Sequence, residues 1–248
     1  MRIRVKPARP SAAGGTLYLV ATPIGNLQDI TQRALDTLSQ VNAVAAEDTR
    51  HTRRMLETLG IQAAVLSLFE HNERARIPGL IRRLEAGESI AVVTDSGSPT
   101  VADPGYRLVR AAVEAGITVA SVPGPSAVIA ALQVSGLPTD AFTFVGFLPV
   151  RRGPRRRRLE ELSPRRETIV AFESPHRIDE ALADLEEIWG ERPIALAREL
   201  TKAFEEVLRG PARDVRERLT AERRRGEMVL VLSGVGRAAR AARSTETT

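Results

Sequence analysis

The 248 residues are 43% hydrophobic and 27% charged, enough to pack a core in one large domain or two small ones. The absence of cysteine excludes a disulfide framework and a thiolate zinc site, and the scattered His51, His71 and His176 spell no metal-ligand motif, so no metal is expected. No apolar run reaches the roughly 18 residues of a membrane span, and Met1–Pro7 lacks a signal-type apolar region, so a cytoplasmic protein without a membrane anchor is expected. The net charge of +5 rests on arginine, since Lys6 and Lys202 are the only lysines among 36 basic residues. Such a bias fits gene base composition as readily as function, so clustering is the better guide to a polyanionic partner.

Apolar, β-rich runs alternate with helical patterns from Thr16 to about Ser233, which predicts an α/β protein whose mixed, largely parallel sheets are flanked by helices. In the first half strands are expected at Leu17–Ala21, Val41–Ala45, Ala64–Leu68, Ile90–Thr94 and Ile117–Val122. Asp29 and Gln32 read as a capping box for a helix carrying Ala34, Leu35 and Leu38. Asp103-Pro104 read as N-cap and first-turn proline of a helix over Tyr106–Ala115. Pro123-Gly124-Pro125 then separates two lobes, 15–122 and 123–236, with loosely ordered arms expected at 1–14 and 237–248. In the second half helices are expected at Ser126–Val134, Arg177–Ile188 and Asp214–Arg224. Strands are expected there at Phe142–Gly146, Thr168–Phe172, Ile194–Ala197, Glu205–Leu208 and Met228–Leu232. Gly234-Val235-Gly236-Arg237-Ala238-Ala239 matches a dinucleotide fingerprint, yet no second strand or acidic ribose ligand follows it, and no nucleotide site is expected there.

Chemistry concentrates where the apolar runs end. Val92-Val93-Thr94 enters Asp95-Ser96-Gly97-Ser98-Pro99, with Ala102-Asp103-Pro104-Gly105 close behind. Small residues let a ligand approach the backbone, and in open α/β sheets ligands sit beyond the carboxyl ends of strands. Ile117–Val122 likewise enters Pro123-Gly124-Pro125-Ser126, so the two edges predict one shared cleft. The first strand breaks at Thr22-Pro23-Ile24-Gly25-Asn26, and the second ends in Glu47-Asp48-Thr49-Arg50-His51. Helix capping by Asp48 explains one acid of that set but not the density of titratable groups. Phe172-Glu173-Ser174-Pro175-His176-Arg177 repeats the design: Ser174-Pro175 suit a cap, whereas Glu173 has no capping duty by spacing. Arg151, Arg152, Arg155, Arg156, Arg157 and Arg158 crowd Gly153-Pro154, either as a solvated loop and helix start or as a phosphate contact.

Seven segments in this order resemble the ribosomal RNA small subunit methyltransferase I family, a branch of the tetrapyrrole methylase superfamily. They are Thr16–Thr31, Glu47–Thr52, Thr94–Gly105, Val122–Ser126, Ser135–Pro149, Phe172–Arg177 and Ala197–Glu206. The resemblance covers roughly residues 16–235. It implies a two-lobed tetrapyrrole-methylase-like fold with a ligand cleft between lobes, a homodimer, and S-adenosyl-L-methionine-dependent methylation of the ribose 2′-hydroxyl of a cytidine in 16S rRNA. For the cofactor it implies Pro23, Ile24, Gly25, Asp95, Gly97, Ser98, Pro123, Ser126, Ala127, Phe172, Ala197 and Met228. RNA contacts are expected from Arg50, Arg53, the Arg151–Arg158 cluster, His176, Arg177, Arg198 and Lys202. The proton acceptor is sought among Glu47, Asp48, His51 and Glu173, with Asp48 and Glu173 ranked first. Ser96, Ser98 and Ala102 replace residues of similar size in relatives, and the helical segment that members commonly carry after the last strand has no counterpart beyond Ser233-Gly234. The rival readings are a tetrapyrrole or diphthine-type methylase on the same fold and a non-catalytic RNA-binding assembly protein.

Overall fold

The computed structural model describes residues 14–236, so the arms expected at the two ends lie outside it apart from Gly14. The chain divides into two compact units at Ser126/Ala127. In the first, β1 (Thr16–Val20), β2 (Ala43–Ala46), β3 (Val65–Ser67), β4 (Ile90–Val93) and β5 (Thr118–Val122) form an all-parallel sheet in the order β3-β2-β4-β1-β5. Every residue of β2 and β4 is buried, which is why these strands read as unbroken apolar runs without alternation. Helices α1 (Gln32–Gln40) and α2 (Thr49–Thr58) lay Ala34, Leu38 and Leu56 against Val20, Val44, Ala46 and Val93. On the opposite face α3 (Glu73–Glu85) and α4 (Tyr106–Glu114) set Leu80, Leu84, Leu108 and Ala112 against Leu17, Ala45, Ile90 and Val92.

Both expected caps in this unit are displaced. Asn26 caps a short 3-10 turn, Leu27–Asp29, that absorbs Asp29, so α1 starts later and Thr31 Oγ1 takes the Ala34 N–H at 3.1 Å. At α4 the N-cap is Gly105 in a left-handed conformation (φ 116°), and the first-turn amides of Arg107 and Leu108 donate instead to Glu73 Oε1 at 3.1 and 3.3 Å. A carboxylate from a neighbouring helix thus does the work assigned to Asp103, and Asp103 is released for other contacts.

The second unit contains α5 (Ala127–Val134), β6 (Phe142–Phe147), α6 (Arg152–Leu162), β7 (Thr168–Glu173), α7 (Ile178–Trp189), β8 (Ile194–Arg198), β9 (Glu206–Gly210), α8 (Ala212–Arg218) and β10 (Met228–Leu232). Its sheet runs β6-β7-β10-β8-β9, and only β6–β7 is parallel. The largely parallel expectation therefore fits the first sheet, while the second is mixed with mostly antiparallel pairs. The reason is topological: β8 returns to β9 through a short loop, and β10 inserts between β7 and β8 running against both. Leu159, Leu162, Ile178, Leu182, Leu185 and Trp189 cover one face of this sheet, and α5 packs on the other. The last helix stops at Arg218, short of the expected Arg224, and a 3-10 turn at Ala221–Arg223 follows. Gly234 is explained by packing: a Cβ there would lie 2.0 Å from Arg166 O.

Candidate active site

From the adjacent strands β1 and β4 the chain leaves in opposite directions, towards β2 by way of α1 on one face and towards β5 by way of α4 on the other. Such a switch point opens a crevice at the carboxyl ends of the two strands. The loops there are knitted together. Thr22 N donates to Gly97 O at 2.8 Å, Gly97 N to Thr22 O at 3.1 Å, and the buried Thr22 Oγ1 to Thr94 O at 3.0 Å. Gly97 needs its left-handed φ of 84°, and a Cβ on it would press on Ile24 Cγ2 at 3.4 Å. Ser98 Oγ donates to Pro125 O at 3.3 Å, tying in the loop after β5. Pro23, Ile24, Gly25, Asp95, Gly97, Ser98, Pro123 and Ser126 are thereby drawn to one end of one sheet. The same loop strains Thr100 (φ 72°) and Ala102 (φ 65°) into left-handed backbone, a cost that clusters at working sites.

Three carboxylates meet at this edge. Thr94 Oγ1 donates to Glu47 Oε2 at 3.4 Å and Asp48 N donates to Asp95 Oδ1 at 3.2 Å, while Asp103 is close enough to the Thr94 hydroxyl to compete for its single proton. Burial first, then the charges of Asp103 and Asp95, push the Glu47 carboxyl above its ordinary value. Burial and Asp95 push Asp103 up too. A cavity of about 330 Å³ lies beside them, lined by Glu47, Glu70, Glu73, Asp103, Tyr106 and Arg107. Asp48 is different: its carboxylate caps α2, accepting from Arg50 N at 2.7 Å and His51 N at 3.2 Å, and these bonds hold it below the usual carboxylate range. Its joint first rank as proton acceptor is therefore corrected, because the two amide bonds to Oδ1 lower the carboxylate's affinity for a proton and give it a capping duty. His51, Arg50 and Arg53 project from the exposed side of the first turns of α2.

In the second unit, register places Glu173, Met228, Arg198 and Glu206 side by side across β7, β10, β8 and β9. Residues in register share a face. That face is the one covered by α6 and α7, so Met228 is buried in the core, whereas Phe172 and Ala197 lie on the opposite face. Of the residues expected to contact the cofactor, Met228 therefore faces away from Phe172 and Ala197. Phe172 stacks edge-on with Phe144 and Phe147, ring centroids 4.9 and 5.4 Å away. Glu173 is almost fully buried: Oε1 accepts from Ser174 N at 2.7 Å and pairs with Arg177 at 2.8 Å, while Oε2 has no partner among the described residues. Glu173 thus orders the turn into α7, helped by Ser174 Oγ, which accepts from His176 N at 3.3 Å.

The model of the family Tetrapyrrole (Corrin/Porphyrin) Methylases matches residues 16–216. A protein of Xylella fastidiosa named ribosomal RNA small subunit methyltransferase I is 50% identical over 223 residues, 89% of this chain and 82% of its own length. One of Mesorhizobium japonicum with the same name is 50% identical over 226 residues, 90% of this chain and 76% of that one. The chain belongs to the ribosomal RNA small subunit methyltransferase I family of the tetrapyrrole methylases. Among solved structures, diphthine synthase superposes with a TM-score of 0.67 at 16% identity, covering 93% of this chain and 95% of the other. Uroporphyrin-III-C-methyltransferase from Thermus thermophilus gives 0.61 at 22%, covering 92% and 98%. At these identities the likeness speaks for the fold.

For this methyltransferase four of the six arginines of the cluster are engaged by acids of the chain itself. Arg155 is fully buried, its Nε on Asp184 Oδ2 at 2.8 Å and Nη2 on Glu180 at 3.1 Å. Arg152 reaches Asp184 at 3.1 Å, Arg156 binds Asp184 and Glu187, and Arg158 pairs with Glu161 at 3.1 Å. Arg155 is thereby corrected from phosphate ligand to core ion pair, and Arg152, Arg156 and Arg158 are engaged by acids. Arg151 and Arg157 are exposed and form no salt bridge among the described residues. The signal overlooked in the sequence is the acidic row Glu180, Asp184, Glu187, spaced i, i+4, i+7 on one face of α7. Arg198 pairs with Glu206 at 3.4 Å and Lys202 with Glu199 at 2.9 Å, so these two also carry local duties.

Proposed function

We propose that the protein transfers a methyl group from S-adenosylmethionine to the ribose 2′-hydroxyl of a cytidine in 16S rRNA, acting as a homodimer in the cytoplasm. The observation that carries this reading is 50% identity, over about nine-tenths of the chain, to proteins named for methylating small-subunit rRNA. The switch-point crevice fits the cofactor chemically. Asp95 and Glu47 complement a cationic ligand, Ile24 offers apolar contact, and Gly97 and Ser98 leave the backbone approachable. When bound, S-adenosylmethionine supplies an electrophilic methyl on a positively charged sulfur.

The protein's own task is to hold the ribose oxygen in line, exclude water and accept the hydroxyl proton as the new C–O bond forms. Glu47 is our choice of acceptor: its raised pKa brings it nearer neutrality, and its Oε2 is held by the Thr94 hydroxyl alone. Methylation of purified small subunits with labelled cofactor, mapped by mass spectrometry, tests the reading. A 2′-O-methyl leaves the adjacent phosphodiester resistant to alkali, because the attacking hydroxyl is gone. Label on a base, or no label in 16S rRNA, refutes it. Sedimentation as a 27.0 kDa particle throughout the micromolar range would refute the dimer.

A further inference from the structure

The loop from β8 to β9, residues 199–205, is built around a ring that it does not bury. Phe204 is 75% exposed, more than any other large hydrophobic side chain among the described residues. The loop is nonetheless rigidly specified. Glu199 (φ 51°) and Thr201 (φ 66°) both hold left-handed backbone, which non-glycine residues keep only where their surroundings enforce it. The enforcement is visible: Glu199 N donates to Glu227 O at 3.0 Å, Glu199 Oε1 accepts from Glu227 N at 3.0 Å and Lys202 Nζ at 2.9 Å, and Thr201 N donates to Glu205 Oε2 at 2.5 Å. Such a frame is unnecessary for a merely solvated connection.

Beside the loop lies Arg198, only 8% exposed, whose Nη1 donates to the backbone oxygen of Phe204 at 3.2 Å while its Nε is buried with no partner among the described residues. Buried donors are normally satisfied, so this one marks a place for an acceptor from outside the chain. A cavity of about 650 Å³ opens here, lined by Arg198, Phe204, Glu206, Arg223 and Arg225 among others. Three of its four acids are engaged by cations or amides, Glu206 by Arg198 and, at 3.0 Å, Arg223, and Glu199 and Glu205 within the loop, while Glu222 interacts with Thr220. Arg225 is exposed and forms no salt bridge among the described residues.

We propose that this loop is a platform for single-stranded RNA, on which Phe204 stacks an unpaired nucleobase while Arg198 Nε and Arg225 donate to acceptors of that nucleotide and its phosphate. The proposal rests on the RNA reading above for the class of polymer, and the ring's exposed face adds how it is held. An unpaired base is required because a base within a duplex already has its stacking partners. A protein partner fits worse, since the cavity is lined by charged residues and protein interface cores are depleted of them.

The test is fluorescence anisotropy with a short fluorescein-labelled single-stranded RNA and the same sequence annealed to its complement. Phe204→Ala should weaken single-strand binding by roughly 5- to 100-fold, the loss of one base stack, Phe204→Trp should retain it, and duplex binding should change little. Arg225→Ala should lower the magnitude of the salt slope by about 0.7. Wild-type affinity in Phe204→Ala overturns the platform, as does a Phe204→Ala effect confined to the sedimentation coefficient, which would mark a protein interface. The two readings fail separately. A protein that binds RNA through Phe204 yet methylates no rRNA loses the substrate assignment and keeps the platform, whereas normal rRNA methylation by Phe204→Ala with unchanged KM does the reverse.

Discussion

Replacing Asp184 of α7 by alanine should destabilise the protein far more than truncating any other acid that pairs with the arginine-rich helix α6, and should do so without changing contacts to RNA. The side chains of Asp184 and Arg155 are both at 0% exposure, and Asp184 accepts from Arg155 at 2.8 Å, Arg152 at 3.1 Å and Arg156 at 3.3 Å. Truncation leaves a fully buried guanidinium whose remaining partners are the exposed Glu180 at 3.1 Å and the Val150 carbonyl at 3.4 Å. Removing one member of a buried pair costs about 3–5 kcal/mol, and the surviving Glu180 contact places this case near about 3 kcal/mol. Burial alone would raise the Asp184 carboxyl, but hydrogen bonds from Arg155 and Arg152 outweigh it and hold the pKa low. Since the folded value lies below the unfolded one, the group's contribution is present at neutral pH and lost as pH falls through the folded value. Urea denaturation at neutral and acidic pH measures both effects, with Glu161→Ala, which removes the exposed partner of Arg158, as a control that leaves the midpoint in place. A loss below about 1 kcal/mol for Asp184→Ala would show that the pair is not the buried support described here. Arg155→Gln with an altered RNA salt slope would restore its reading as a phosphate ligand.

Glu47→Gln should slow single-turnover methylation at saturating cofactor by about 10²- to 10⁴-fold, and a wild-type rate would remove it as the base. The raised Glu47 pKa means that its stabilising contribution exists at acid pH and is lost as pH rises through the folded value, so Glu47→Gln should melt above wild type at neutral pH; differential scanning calorimetry decides this. Asp48→Asn should keep both fold and rate because asparagine also caps, whereas Asp48→Ala should lower the melting temperature; a rate defect in Asp48→Asn with an unchanged fold would return Asp48 to the chemistry. Glu73→Ala should cost about 1–3 kcal/mol by leaving the Arg107 and Leu108 amides without an acceptor, and an unchanged denaturation midpoint would mean water replaces it.

Strand positions were legible in the sequence because apolar runs bounded by Pro, Gly and Asp leave little choice: Met228–Leu232 is observed as expected, and Ile90–Val93 ends one residue early. The strand-end location of Asp95, Gly97 and Ser98 was legible for the same reason. What the sequence hid were interactions between elements distant in the chain. Glu73 caps α4 from 34 residues away, a pairing that no local rule anticipates. The second sheet's antiparallel pairs depend on where β10 inserts, which hydrophobic pattern alone does not encode. Phe172 and Met228 carry similar apolar side chains at strand ends, yet the register that separates their faces appears only once β7 and β10 are paired.

The two charged clusters of this protein show why density of ionisable groups is a poor guide to a site and compensation a better one. The arginines of α6 are the denser set, but the acids of α7 answer Arg152, Arg155 and Arg156, Glu161 of α6 itself answers Arg158, and the helix pair is held together by the exchange. At the switch point the balance is reversed. Glu47, Asp95 and Asp103 sit together with no salt bridge to any of them among the described residues, supported only by hydroxyl and amide donors. Folding alone gives no reason to gather like charges, because each disfavours the ionisation of its neighbours. A cationic ligand supplies the missing compensation, and a carboxylate whose proton affinity is already raised can take one more proton when that ligand's methyl moves away. The same logic makes the site costly to the empty protein, which is why Glu47→Gln is expected to gain stability as it loses rate.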